Sequence, residues 1–472
     1  MKLLLLPFLF VFGFLSPLHA GTGHKIDIKI KNYYNDTLIL GYYLGDKQFI
    51  KDTSISKTGV FTFTGKENLD PGIYLAVLLP EKNVFQFMVD DKNQQFSIEA
   101  DAKHLSDRLS AKNSAENTLF FKYIAYISSK KPVADSLKKV LKITLDSTKM
   151  KLIQEKIKIV DEEVKSFQNK LIADNPKSFT AALINSSQEK NFPDYTNKTD
   201  AEKIKLYNHY KLHFFDDFNF SDLRLFRSPI YFQKVDFYVS NLTTQHPDSI
   251  IKSLDYILEK TQPITDAYQF FLSHYFNTYI KSKYVGMDAV YVHLIDYYYS
   301  KGRAPWVDEA SLNKMKEAAN DIRPTLIGRY APNLTFFRQD STTIKVHDIK
   351  AKYTVLFFWA PDCQHCEKAI PHVIDFYNQF KPQGVEILSI CTGLLDEAKD
   401  CWKSVEKKHM EAFVNVNDPY LSSNFKVFYD IKSTPKFFIL DKDKKIISKG
   451  IGAEQLGEVM SKIIEFDALE KK

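Results

Sequence analysis

A run of apolar residues, Tyr353–Trp359, leads through Ala360-Pro361-Asp362 into Cys363-Gln364-His365-Cys366, and the spacing that follows is helical to Phe380. A strand with almost no polar position is buried on both faces, which requires a sheet covered by helices on each side. The residues beyond it keep that alternation. A second apolar strand spans Val385–Cys391, a helix 395–409, strands 413–417, 436–441 and 445–450, and a closing helix 453–466. A βαβ unit followed by a hairpin and a helix predicts an α/β domain with a mixed sheet over 326–472.

The two cysteines sit where that strand gives way to the helix. A sulfur at a helix N-terminus faces unpaired backbone N–H groups, and these with the helix dipole favour thiolate over thiol. Cys363, the first and outer sulfur, is therefore expected to be the nucleophile. Cys366, one turn deeper, is placed to attack the mixed disulfide that Cys363 forms. His365 adds a cation beside the thiolate when protonated, and Pro371 is expected to kink the helix. Other uses of the motif fit less well. Covalent haem attachment needs His after the second cysteine, and Glu367 stands there. Cys391 and Cys401 do not form the second CxxC of a zinc site, and His372 is the one further ligand type close by. A peroxidase would need a hydroxyl three positions before the reactive cysteine, where Ala360 lies. A purely structural disulfide is a poor match for a helix N-terminus.

Residues 328–371, with Ala331-Pro332, Phe358-Trp359-Ala360, the CxxC and Pro371, resemble the TlpA/ResA-like redoxin branch of the thioredoxin superfamily. Ile431-Lys432-Ser433-Thr434-Pro435-Lys436-Phe437 is similar to that family's strand led by Thr-Pro. The resemblance implies a thioredoxin-like fold, a Cys363–Cys366 disulfide, a cis Pro435 facing the pair, and substrate contacts from Trp359 and Thr434. It further implies dithiol–disulfide exchange with client proteins that carry cysteines or disulfides. No bound cofactor is needed, and a membrane-linked electron donor would suit a reductase. Two positions depart from the family. The buried acid that moves protons to the second cysteine is replaced by Phe357 on the strand, and the alternative acid three residues past that cysteine by Ala369. Glu367, His365 or water would have to serve. The third-position histidine also resembles the CPHC of strongly oxidising members.

The chain of 472 residues suggests about three domains. Its start, Lys2 followed by Leu and Phe residues to Leu15 and then Ser16 to Ala20, has the three parts of a secretory signal peptide cleaved near Ala20. The expected product is a soluble protein of the periplasm or cell envelope. Residues 21–115 alternate with period two, as in Ile26-Asp27-Ile28-Lys29-Ile30, and predict an antiparallel β module. Residues 116–325 predict an all-helical module. Within it Ile153, Ile157, Val160, Val164, Phe167 and Leu171 form one apolar stripe, read as bundle packing before a dimer seam. His209 and His213 share a helix face without a third ligand, so no metal is expected. The tyrosine run 291–299 suits either core packing or a sticky surface. The net charge of +6, with no dominant basic block, argues against nucleic acid. All four cysteines fall in the last third, and Cys391 and Cys401 are expected to be buried free thiols. The rival to an oxidoreductase is a binding or envelope-assembly module whose redox domain is secondary. Oligomeric state is not legible.

Overall fold

The computed structural model describes residues 23–188 and 192–469, so the expected signal peptide lies outside the described residues. The chain divides into two compact units: one runs to Leu242 and includes Glu259–Tyr268, the other comprises Thr243–Leu258 and Gln269 onward.

In the first unit eight strands come first: β1 (His24–Lys31), β2 (Thr37–Leu44), β3 (Lys47–Ile55), β4 (Val60–Gly65), β5 (Gly72–Leu78), β6 (Asn83–Val89), β7 (Gln95–Asp101) and β8 (Ser110–Lys112). They form two four-stranded sheets, β4-β1-β7-β8 and β3-β2-β5-β6. The period-two pattern has its expected result. Ile26, Ile28 and Ile30 of β1 are buried, as are Phe61 and Phe63 of β4, while the residues between them face out. Every pairing is antiparallel except β1 with β7, which run parallel.

Two long helices follow, α1 (Ala115–Ile143) and α2 (Ser147–Asp174). Ser114 caps α1 and Asp146 caps α2, each accepting a first-turn backbone N–H. The stripe on α2 packs against α1 as an antiparallel hairpin: Phe167 stacks on Tyr126 at 3.8 Å, and Gln168 donates to the Tyr123 hydroxyl at 3.2 Å. The first turn of α1 also grips its surroundings. The Asn117 side chain accepts the Met88 N–H and donates to the Met88 carbonyl, both at 2.7 Å, as a strand residue would. Glu116 accepts the backbone N–H groups of Phe179 and Thr180 at the start of α3 (Phe179–Ser187). After α4 (Asp200–Leu212), α5 (Leu223–Phe226) and α6 (Pro229–Ser240), the Arg227 carbonyl accepts from Ile73 at the start of β5. Gly72 permits this approach, because a Cβ there would lie 2.5 Å from that of Arg227.

Helix α7 (Pro247–Thr261) and helix α8 (Thr265–Ile280) precede α9 (Asp288–Leu294), a π-helical turn Ile295–Tyr299, and α10 (Glu309–Ile322). The tyrosine run is mostly packing, with Tyr297 exposed. Tyr291, Tyr298 and Tyr299 are buried, and the Tyr298 hydroxyl donates to Asp255, which also meets His293 at 2.8 Å.

The second unit ends in a seven-stranded sheet built from β9 (Thr335–Phe337), β10 (Thr343–Lys345), β11 (Tyr353–Trp359), β12 (Val385–Cys391), β13 (Val414–Asn417), β14 (Lys436–Leu440) and β15 (Ile446–Lys449). Its order is β10-β9-β13-β12-β11-β14-β15, with β11, β12 and β13 parallel and β14 antiparallel to β11. Helices α11 (Gln364–Phe380), α12 (Ala398–Lys407), α13 (Phe425–Phe428) and α14 (Leu456–Leu469) complete it. One core lies between the sheet and α11, α12 and α14, the other across the sheet around Phe358, Tyr429 and Phe438. This is a thioredoxin-like fold, and the three-part architecture of β-rich, helical and α/β regions matches the sequence reading.

Candidate redox site

All seven residues of β11 are buried, which fixes that strand in the middle of the sheet and delivers its C-terminal end to the surface beside α11. Cys363 is the N-cap of α11. Its Sγ accepts the Cys366 N–H at 3.0 Å, so a sulfur occupies the place a Ser or Asp oxygen usually takes. Cys363 is half-buried and Cys366 is fully buried. The two are joined as a disulfide, with Cα atoms 5.2 Å apart. The Thr434–Pro435 peptide bond is cis, and the Thr434 carbonyl oxygen lies 3.4 Å from Cys363 Sγ. The chain thus brings together residues 71 positions apart that the sequence singled out separately.

Beneath the sulfurs the site is apolar. Phe357 stacks on Phe437 with ring centroids 4.9 Å apart, and Ala369 is buried in the same cluster as Cys366. Trp359 does not offer the expected substrate contact. It is fully buried, and its indole N–H donates to the Ser389 hydroxyl at 2.8 Å. Alternation along β11 turns it under α11 beside Phe357, so it supports the site from inside. Ser389 carries no sequence signal that would have marked it as the partner.

His365 and Glu367 are both exposed on the first turn of α11. Glu367 forms an ion pair with Lys408 at 3.6 Å; the Lys408 ammonium is buried and has no hydrogen-bond partner among the described residues. An open cleft of about 380 Å³ flanks the pair, bounded by Pro361, Asp362 and the α12 residues Asp400, Lys403 and Lys407.

Cys391 and Cys401 are not free thiols. They form a second disulfide with Cα atoms 6.0 Å apart, both sulfurs inside the core that holds Cys366. Cys391 ends β12 opposite Trp359, on the face over which α12 crosses. Gly393 leaves the room, since a Cβ there would lie 2.9 Å from Cys401 Sγ. The His209 and His213 rings lie 4.4 Å apart and tilted to one another, and His213 meets Asp216 at 2.9 Å. Among the described residues no group of three or more His, Cys, Asp or Glu is arranged to hold a metal ion.

A thioredoxin-like sheet with a CxxC sulfur capping its helix beside a cis-proline loop defines a redoxin-type thiol–disulfide oxidoreductase. Residues 327–449 match the AhpC/TSA family, 165–324 a domain of unknown function (DUF5106), and 24–120 another (DUF4369). A thiol-disulfide oxidoreductase ResA of Bacillus cereus is 31% identical over 140 residues, which are 29% of this chain and 78% of that protein. That of Bacillus subtilis (strain 168) is 30% identical over 123 residues, 25% of this chain and 64% of that protein. The chain belongs to the ResA family of thiol–disulfide oxidoreductases through its C-terminal domain. Among solved structures, a domain of a possible thiol-disulfide isomerase from Cytophaga hutchinsonii is 33% identical, covering 31% of this chain and 97% of that one, with a TM-score of 0.29. Among the described residues no helix is long and apolar enough to cross a membrane.

Proposed function

We propose that this chain is an exported reductase of protein disulfides, with Cys363 as the attacking thiol and Cys366 as the resolving one. The observation that carries the reading is the Cys363 sulfur at the cap of α11, accepting the Cys366 N–H at 3.0 Å and partly open to solvent, above a buried partner. In the dithiol state Cys363 attacks a client disulfide as thiolate, and one client sulfur leaves as thiolate. Cys366, deprotonated, then attacks Cys363 Sγ and expels the second client sulfur. Two electrons pass to the client, and the Cys363–Cys366 disulfide is the product. Thr434 and cis-Pro435, against the outer sulfur, form the edge along which an extended client segment lies. With Phe357 and Ala369 apolar, the proton on Cys366 leaves through water or through Glu367 or His365 on the first turn. Export follows from the N-terminal pattern of residues 1–20 and fits the second disulfide, which persists in an oxidising compartment. The β-rich and helical parts, divided near residues 115 and 325, are read as envelope modules carried ahead of the redox domain.

An insulin-reduction assay with the purified chain and dithiothreitol tests the chemistry. Turnover lost in Cys363→Ser is the expected result; equal turnover in wild type and variant would defeat the proposal. N-terminal sequencing of the protein recovered from the cell envelope tests export, with a start near residue 21 expected.

A further inference from the structure

We infer that the tip of the α1–α2 hairpin is a docking surface for an anionic lipid bilayer. The pairing of Tyr126 with Phe167 and of Lys130 with Glu163 places the turn of the hairpin at 144–146. At the helical rise, α1 with its 29 residues puts that turn about 43 Å from the helix start. The stripe Ile153–Phe167 is spent on packing against α1, yet a second set of apolar side chains is left in solvent. Ile143 is 79% exposed and Leu145 97%, side by side at the turn, with Val140, Leu152 and Ile159 exposed behind them. Leu152 and Ile159, seven residues apart, lie on one face of α2, and Leu145 stands in the turn just before it.

Charge supplies the identity of the partner. Residues 136–158 hold seven lysines against two carboxylates, Asp146 and Glu155, a net +5 beside the whole chain's +6. The basic block that the overall composition hides is concentrated here by the fold. Among the described residues, Lys138, Lys139, Lys142, Lys149, Lys151 and Lys156 are all exposed and none is in an ion pair. Asp146 is occupied as the cap of α2, accepting the Lys149 N–H at 2.8 Å. Exposed aliphatic side chains ringed by unpaired lysines have the makeup of an interfacial helix that enters the headgroup layer. There the lysines meet lipid phosphates and the aliphatic groups reach the acyl boundary. Pairing with a second copy would bring these lysines against one another, which like charges oppose. The proposal does not depend on the redox reading.

Flotation of the full chain with vesicles of phosphatidylglycerol and phosphatidylcholine, against phosphatidylcholine alone, tests it. Binding to the anionic vesicles only, weakening as salt rises, is expected. Lys138→Gln/Lys139→Gln/Lys142→Gln should weaken it at least about tenfold and flatten the salt response, each lysine near the surface contributing about fivefold. Ile143→Ser/Leu145→Ser, at exposed positions that leave the packed stripe intact, should also lower binding while the circular dichroism and melting temperature stay unchanged. Removing three lysines from the β-rich region, Lys47→Gln/Lys51→Gln/Lys66→Gln, should not. Equal binding to both vesicle types, no binding to either, the same loss in both lysine triples, or self-association through the tip would each overturn the inference.

Discussion

Cys363 Sγ lies 3.4 Å from the carbonyl oxygen of Thr434 and accepts the Cys366 N–H at 3.0 Å. The sulfur thus meets both a donor that favours its anion and a carbonyl that a bound client strand can cover. Cys366 has neither partner and no exposure. Iodoacetamide at mildly acidic pH should therefore label reduced Cys363 at least about tenfold faster than Cys366, because only the thiolate reacts. Peptide mapping by mass spectrometry reads the ratio; equal labelling would remove Cys363 as the attacking thiol. Cys366→Ala should accumulate a thiol-sensitive adduct with client proteins through Cys363.

The Cys391–Cys401 link closes a short loop, from the end of β12 to the second turn of α12. Its removal should destabilise the C-terminal unit by about 3 kcal/mol, the loop-closure value for a separation of 10. Chemical denaturation of Cys391→Ala/Cys401→Ala checks this. Insulin reduction by the variant should persist at temperatures where it stays folded, since neither residue exchanges with clients.

His365 stands on the first turn of α11 beside Cys363, and nothing acidic lies beneath the sulfurs at Phe357 or Ala369. A cation near the thiolate stabilises the dithiol form, so the pair should be less reducing than thioredoxin, at roughly −250 to −180 mV. His365→Pro should lower the potential. Because the imidazole is exposed, that change should fade as salt rises. Equilibration with glutathione gives the number; a wild-type value at or below that of thioredoxin, unmoved by the substitution, would contradict the argument.

Arg227 is nearly buried and its guanidinium meets Asp70 at 3.1 Å and Asp266 at 3.3 Å. Burial raises the Asp266 carboxyl above its ordinary range, with Arg227 opposing the rise. Arg227→Met should cost the first unit about 2 kcal/mol at neutral pH, less than the loss of a fully buried pair because both acids keep some water. An acid whose folded pKa is raised loses stability as pH climbs through that value, and the variant's pKa is higher still. The gap between variant and wild type should therefore narrow toward acid pH, measured by urea unfolding at several pH values.

The redox domain was legible because its evidence is local: an unbroken apolar strand, a CxxC opening a helix, and a Thr-Pro before the next strand. What escaped depends on contacts remote in sequence. The parallel pairing of β1 with β7 joins segments about 70 residues apart, and no alternation pattern records direction. Trp359 looked like a surface aromatic beside a reactive cysteine until the sheet assigned it to the inner face. Cys391 and Cys401 read as thiols because their approach depends on how α12 crosses β12, with a glycine making the space. The lysines of 136–158 are close in sequence, but only the hairpin of α1 and α2 sets them around one tip.

Asn117 imitates a peptide unit against Met88 on the outermost strand of its sheet, and neighbouring Glu116 holds the start of α3. Two consecutive side chains thus rivet the strand-rich residues to the helices that follow. A fragment ending at residue 115 would lose both fasteners and bare the flank of β6, an invitation to stacking with other chains. Strands and helices of the first unit should therefore be expressed as one piece, and heating should melt them in a single transition.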